Sequence, residues 1–339
     1  MMEMWHEMKV FVKVLTIRKV WNVGLLKISF YISRIVKKPI LWAYPMAISV
    51  EPTTACNLEC PACPSGRRLF SRPTGNMKTE TFETILASLH PWLLHINFYF
   101  QGEPFIHPRL MDWIRLAATQ NIYTLVSTNA HFLSKENCTA LIKSNLHKLI
   151  ISIDGMSQEV YEKYRAKGSI HKVFEGIENI LEAKTKHRAL FPYVLLQWIV
   201  FEHNRHELPL FMEYCKKKKL PYQIKTAQVY SAEQLQTLVP KDQRYSRYVL
   251  NTTELKIQGP LNNHCWRMWG SCVFTQDGAV VPCCFDKDAH YEMGHIKTQS
   301  FRDIWFSEKY KTFRQRILKN RQEIDICTNC SEGAKVFTD

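Results

Sequence analysis

No apolar run in this 339-residue chain reaches the roughly 20 residues that a membrane-spanning helix needs, and no segment repeats or falls to low complexity. A membrane-spanning helix and a repeat architecture are not expected on that basis. Acidic residues are missing from Val10 to Lys38, and no secretory signal is visible. Disulfides are not expected. The cysteine count, 11, is odd, and the thiols cluster at ligand-like spacings that suit a reducing, cytoplasmic compartment. What the chain does hold is a net charge of +14, length for one large domain and one small, and two separated groups of cysteines. Nucleic-acid binding has no motif behind it. The cationic excess suits anionic substrates or an acidic electron donor.

Cys56, Cys60 and Cys63 form the first group, in the run Glu51-Pro-Thr-Thr-Ala-Cys-Asn-Leu-Glu-Cys-Pro-Ala-Cys-Pro-Ser-Gly66. Three thiolates from one short loop can hold three irons of a [4Fe–4S] cluster and leave the fourth iron open to a small molecule. Zinc is the alternative, but a structural zinc wants a closed set of four ligands and no nearby Cys or His completes one. Three stretches downstream each follow an apolar run. Gln101-Gly102-Glu103-Pro104 follows Leu93–Phe100, Ser127-Thr128-Asn129 ends the next run, and Ser152-Ile153-Asp154-Gly155 ends the one after, leading into Tyr161-Glu-Lys-Tyr-Arg165. A carboxylate at a strand's C-terminal end suits a ligand's ammonium, and a glycine there permits close backbone approach. Taken singly, each is an ordinary turn sequence.

In order, these motifs resemble the radical S-adenosylmethionine (SAM) superfamily. The resemblance implies a cluster on Cys56, Cys60 and Cys63 whose open iron chelates SAM, and reductive cleavage of SAM to a 5′-deoxyadenosyl radical. It implies SAM contacts from Gln101, Gly102, Glu103, Ser127, Asn129, Ser152 and Arg165. Two positions depart from the family pattern. Ala62 stands where an aromatic residue commonly packs on adenine, so that contact must come from elsewhere, and Gln101 replaces the first glycine of Gly-Gly-Glu-Pro.

A second group follows near the C-terminus: Cys265, Cys272, Cys283, Cys284, Cys327 and Cys330. Asp277-Gly278 predicts a two-residue hairpin between strand-like runs. The order resembles the SPASM/twitch extension of radical SAM enzymes, most closely its short form with one auxiliary [4Fe–4S] cluster. That resemblance implies Cys265, Cys283, Cys327 and Cys330 as ligands, with Cys284 a rival to Cys283 and Cys272 a spare; a zinc ribbon is the alternative. Cys138 and Cys215 fall in helical patterns and read as small buried apolar residues.

Six strand-like runs, 46–50, 95–100, 123–127, 149–153, 194–201 and 223–229, alternate with helical patterns at 79–89, 108–119, 134–143, 173–186 and 206–218. Thr79 is the expected N-cap of the first. Such alternation predicts an α/β fold with a parallel sheet and right-handed crossovers. With the resemblance it becomes a partial (β/α)6 barrel over 46–230, a bridging segment over 231–260 and a small cysteine-rich α+β domain over 261–339. Phe301–Leu318 reads as one helix whose Ile304, Trp305 and Phe306 cover that domain. Residues 1–45 are a basic amphipathic segment, expected either to pack on the barrel's flank or to lie on an anionic membrane through residues 10–38. The expected function is a radical SAM oxidoreductase with two [4Fe–4S] clusters and SAM, abstracting hydrogen from a small or carbohydrate-like alcohol, with flavodoxin or ferredoxin as reductant. A peptide or sulfatase maturase is the alternative. A zinc or iron–sulfur protein acting on nucleic acid is the non-enzyme reading.

Overall fold

A computed structural model describes residues 14–250, 252 and 254–332. Phe11 and Lys13 of the N-terminal segment, and the tail after Glu332, lie outside the described residues.

Strands β1 (Ala47–Val50), β2 (His95–Asn97), β3 (Tyr123–Thr128), β4 (Lys148–Ser152), β5 (Tyr193–Val200) and β6 (Tyr222–Thr226) run parallel, each beside the next. Most residues of β1, β3, β4 and β5 are buried, whereas the edge strand β6 is half-buried and exposed at Tyr222. The other edge of β1 takes β7 (Ser271–Phe274), also parallel, in the register Ala47 to Ser271 and Val50 to Phe274. Strands β8 (Ala279–Val281) and β9 (Gly294–His295) continue antiparallel, so one sheet of order β6-β5-β4-β3-β2-β1-β7-β8-β9 carries both halves of the chain. The C-terminal region extends the barrel sheet rather than building its own. This sheet does not close on itself.

Ser134, Ser157, Ser169, Ser231, Ser300 and Ser307 each N-cap a helix by accepting from a backbone N–H in its first turn. Thr79 does not. Lys78 holds that position without a side-chain bond, because Met77 donates to the Pro52 carbonyl at 2.9 Å and delivers the chain one residue early. The expected helix over 301–318 is two, Phe301–Trp305 and Glu308–Asn320. Their break frees the Trp305 carbonyl for the Arg314 guanidinium at 3.0 Å, itself packed between the Trp305 and Tyr310 rings at 4.4 and 4.0 Å. Ile304 and Trp305 are fully buried as expected, but Phe306 is 39% exposed and meets Tyr44 edge-on. The hairpin is also wider than Asp277-Gly278 predicts. Its strands part at Phe274 and rejoin at Ala279, with Gly278 at φ +100°, where a Cβ would be strained.

The helix Ile17–Val36 lies across the N-terminal ends of the strands. Arg18 sits over Trp92, Lys19 donates to the Asn121 carbonyl and Asn22 pairs with Tyr44, each partner just ahead of β2, β3 or β1. Cys138 and Cys215 are fully buried on helices, as expected.

Candidate active site

All three downstream motifs emerge at the C-terminal ends of parallel strands, beside the loop that follows β1. That loop is shaped by backbone bonds at its own cysteines. Cys63 donates its N–H to the Cys60 carbonyl at 3.1 Å and stands as N-cap of the short helix Pro64–Arg67. Burial is the main force on Cys56 and Cys60, pushing their thiols up to about 12 and about 11. Cys56 also feels Cys63 and Cys60, and Cys60 feels Cys63, so loading with metal must displace protons.

Gly102 has φ +73°, and a Cβ there would stand 2.3 Å from the Thr53 carbonyl oxygen. Only glycine lets this turn press against the cysteine loop. Gln101 turns the same way: its amide oxygen accepts from Ser65 Oγ at 3.1 Å, and that hydroxyl accepts from the Gly102 N–H. Glu103 is buried, with one oxygen accepting from Thr128 Oγ1 at 2.7 Å and the other from the Asn129 N–H at 2.8 Å. Desolvation lifts its carboxyl to about 7 despite those bonds. Asn129 donates Nδ2 to Asn57 Oδ1 at 2.8 Å and reaches Cys56 Sγ at 4.0 Å. Ser127 and Ser152 stand near the ends of the adjacent strands β3 and β4, Ser127 half-buried and Ser152 buried.

Arg165 and Asp154 form an ion pair, Nε to Oδ2 at 2.6 Å, while Asp154 Oδ1 accepts from the Ile199 N–H. Burial opposes the guanidinium charge, but Asp154 and the Cys60 thiol more than offset it and Arg165 stays cationic. A cation thus sits beside one of the three thiols. Ala62 is buried in a cluster with Leu58, Tyr164, Phe201 and Ala227, and the Tyr164 and Phe201 rings stand 4.0 Å apart between centroids. An aromatic surface therefore exists beside Ala62, supplied from two distant segments. Sequence reading gave Phe201 no role, and named Thr128 and Tyr164 only as members of the runs ending at Asn129 and Arg165.

Among the C-terminal thiols, Cys265, Cys283, Cys327 and Cys330 are electrostatic neighbours: Cys265 and Cys330 both feel Cys327, and Cys283 feels Cys284 first and then Cys265 and Cys330. Arg321 is buried among them, donating to Cys330 Sγ at 3.3 Å, and its Nε finds no partner among the described residues. Cys284 faces elsewhere, accepting from Arg267 Nη1 at 3.5 Å and lying near Tyr99 and Lys225. Cys272 is buried beside Arg314 and Tyr310, and the Tyr310 ring also feels Cys283 and Cys265. Among the described residues, no three His, Cys, Asp or Glu side chains converge on a position for a single metal ion.

Two links bind the cysteine groups together. Arg72 reaches from the first loop to Glu51 in a bidentate pair at 2.6 and 2.7 Å, buried on both sides, and donates to the Lys287 carbonyl. The bridging segment forms the helix Ala232–Leu238, whose Gln234 donates to the Pro61 carbonyl at 3.3 Å. Further on, the Tyr248 hydroxyl donates to Asn329 Oδ1 at 2.7 Å, between Cys327 and Cys330.

Comparison with known proteins places this geometry in a family. The radical SAM superfamily profile matches residues 50–215, and an iron–sulfur cluster-binding (SPASM) domain matches residues 265–331. The chain belongs to the radical SAM superfamily and carries a C-terminal SPASM domain; it is an enzyme of that family, with a [4Fe–4S] cluster, SAM and further iron–sulfur as its cofactors. It is similar to the AdoMet-dependent heme synthase of Methanosarcina barkeri (strain Fusaro / DSM 804), 23% identical over 87% of this chain and 93% of that one. It is also similar to the S-adenosyl-L-methionine-dependent 2-deoxy-scyllo-inosamine dehydrogenase of Niallia circulans, 22% identical over 84% and 92%. Among solved structures, that of anSMEcpe with bound AdoMet shares the fold at TM-score 0.56 and 17% identity, over 83% of this chain and 82% of that one. The donors here fit the implied groups. Two sets of free thiols each stand beside a buried guanidinium, one of which has an N–H still to place.

Proposed function

We propose that this enzyme is an oxidoreductase acting on a small, polar, alcohol-bearing molecule. A cavity of about 330 Å³ between β1, β2 and β7 carries the reading. Its wall includes Ser49, His95, Asn97, Tyr99, Arg267 and Cys284. Strands β1 and β2 lead to the Cys56 loop and to Glu103, and Cys283 and Cys284 belong to the same wall. The volume lies near the lower end of the roughly 300–1,000 Å³ of small-molecule sites, and the wall sets those polar side chains among Met46, Ile48, Trp266 and Val273. Burial holds the His95 imidazole neutral, at about 4, and the Tyr99 phenol protonated, at about 12. Both can therefore donate to and accept from hydroxyl groups, while Arg267 supplies a fixed cation. A relative named as a 2-deoxy-scyllo-inosamine dehydrogenase is in keeping with this.

In this reading Cys56, Cys60 and Cys63 hold the SAM-binding cluster, and Cys265, Cys283, Cys327 and Cys330 hold a single auxiliary [4Fe–4S] cluster. When bound, cluster and SAM supply a 5′-deoxyadenosyl radical for hydrogen abstraction. Glu103 takes the ammonium of SAM, with Thr128 and the Asn129 amide fixing the carboxylate, and Arg165 balances the charge at Cys60. Gly102 brings the Glu103 turn against the loop, Gln101 braces it through Ser65, and Ser127, Asn129 and Ser152 line the neighbouring strand ends. The Tyr164–Phe201 pair offers adenine the surface that Ala62 lacks. Electrons come from an acidic donor of the flavodoxin or ferredoxin type, favoured by the net charge of +14.

The test is anaerobic reconstitution, incubation with fractionated small-molecule extract and untargeted product analysis. An oxidised small alcohol formed with 5′-deoxyadenosine, and lost in His95→Ala while substrate-free SAM cleavage persists, supports the reading. A modified peptide as the only product overturns it.

A further inference from the structure

The helix Ile17–Val36 is inverted for an ordinary surface helix. Its enzyme-facing side is Lys19, Asn22, Leu26, Ser29, Phe30 and Ser33, so four of the six buried residues are polar. All four are hydrogen-bonded: Lys19 Nζ to the Asn121 carbonyl at 2.6 Å, Asn22 in both directions with Tyr44, Ser29 to the Leu26 carbonyl, and Ser33 in both directions with Ile40. Phe30 anchors the middle against Trp266 and Trp269.

The opposite side is apolar. Ile17, Trp21, Ile28, Tyr31 and Ile35 are 92, 69, 52, 53 and 79% exposed. Their spacings of four, seven, three and four residues put them on one stripe of a 3.6-residue helix, roughly 27 Å long. Gly24 fills the gap with nothing within 4 Å of where its Cβ would be. Scattered exposed apolar residues need no explanation, but a continuous stripe five turns long does. No helix among the described residues is long and apolar enough to cross a membrane.

Charge decides what covers the stripe. No Asp or Glu occurs from Val14 to Val50. Arg18 flanks one side of the stripe, Lys27 and Arg34 the other, and Lys37 and Lys38 close its end. A second copy of the helix would bring these cations against their own kind. An anionic lipid interface complements them, and Trp21, Tyr31 and the half-exposed Trp42 suit the boundary between headgroups and acyl chains. We infer that this helix seats the enzyme on an anionic membrane surface, with the N-terminal strand ends toward the lipid and the Cys56 loop at the far strand ends, open to substrate and reductant.

The experiment uses the full chain, reconstituted anaerobically, and co-sedimentation with vesicles of phosphatidylcholine alone or with about 30% phosphatidylglycerol. Wild type should partition about tenfold more strongly onto the anionic vesicles, and less so as salt is raised. Trp21→Ser/Ile28→Ser/Ile35→Ser should lose about tenfold or more, and Lys37→Glu/Lys38→Glu should lose the preference for anionic lipid. Both variants alter exposed side chains, so unchanged melting temperatures and circular dichroism establish that they fold. Wild type left in the supernatant with anionic vesicles, or a triple variant that sediments like wild type, overturns the proposal. So does a wild-type dimer that binds no lipid and becomes monomeric in the triple variant, which would assign the stripe to a second copy.

Discussion

Replacing Arg72 by Met should unfold more of this enzyme than any surface change of equal size. The Arg72 side chain is 5% exposed and that of Glu51 0%, and the pair is bidentate. Met keeps the volume but leaves a buried carboxylate with only the Gln276 N–H donating to it at 3.0 Å. Breaking a buried pair from one side costs about 3–5 kcal/mol. At about 2–4 °C per kcal/mol for a chain approaching this size, the melting temperature should fall by about 10 °C. The deficit should depend on pH. Burial already raises the Glu51 pKa above its ordinary 4.5, with Arg72 opposing, so losing Arg72 raises it further. A raised carboxyl pKa adds stability that is complete below the unfolded value and is lost as pH rises through the folded one. Arg72→Met should therefore be penalised most at pH 8 and progressively less toward pH 5, and Glu51→Gln on top of it should restore part of the loss. Anaerobic thermal melts of the two single variants and the double variant across that range make the measurement. A variant melting within about 2 °C of wild type at every pH, or a deficit that does not narrow on acidification, would refute the reasoning.

Other consequences can be read from the same geometry. With the Glu103 carboxyl near 7, SAM affinity should rise as pH climbs through 7, because the ammonium needs a carboxylate; Glu103→Gln should bind weakly and without that slope, and equal slopes in calorimetric titrations would remove Glu103 from the site. The same raised value means that Glu103's own contribution to stability in the SAM-free chain is present below its ordinary 4.5 and fades as pH rises through about 7. Cys284→Ser should keep wild-type iron while Cys283→Ser loses about four irons per chain, and the reverse result would exchange their roles. Arg321→Met should lower the auxiliary cluster's reduction potential by about 60 mV, the one-electron equivalent of one lost charge-assisted hydrogen bond, as read by EPR-monitored titration. An unchanged potential would place Arg321 outside the cluster's field.

Helices and strands were legible wherever a local period carried them. The helix Thr79–Leu89 follows its apolar period to the residue, and each parallel strand lies within a few residues of an apolar run. Motifs at strand ends were legible for the same reason: the chemistry and the turn share a few consecutive residues. Pairings that join distant segments were not. Nothing local to Ser271–Phe274 says that it will lie parallel beside β1, since that register depends on an edge more than 200 residues earlier, here Ala47 against Ser271. Nothing local to Arg72 marks it as one half of a buried pair, because Glu51 and Lys287, its partners, come together only after the sheet forms. The aromatic surface beside Ala62 was hidden likewise, as Tyr164 and Phe201 belong to different crossovers.

The insertion of β7 beside β1 has a mechanical consequence for the two cysteine groups. A C-terminal domain with its own sheet could swing on the bridging segment, and the spacing between its thiols and the first loop would vary. Here β7 pairs directly with the strand that delivers the Cys56 loop, so both groups ride on one hydrogen-bonded ladder. Arg72 and Asp288 then tie the loop to the residues after Cys284, and Gln234 and Tyr248 tie the bridging segment to both groups. Substrate held in the cavity between β1, β2 and β7 would meet the same wall geometry in every turnover, without domain closure. Loosening the ladder should therefore damage coupling before it damages SAM cleavage. Val273→Pro removes a backbone donor from a strand flanked by β1 and β8. It should raise the ratio of 5′-deoxyadenosine to oxidised product while the first cluster still loads. A variant that folds, loads both clusters and keeps the wild-type ratio would show that the continuous sheet plays no part in holding substrate.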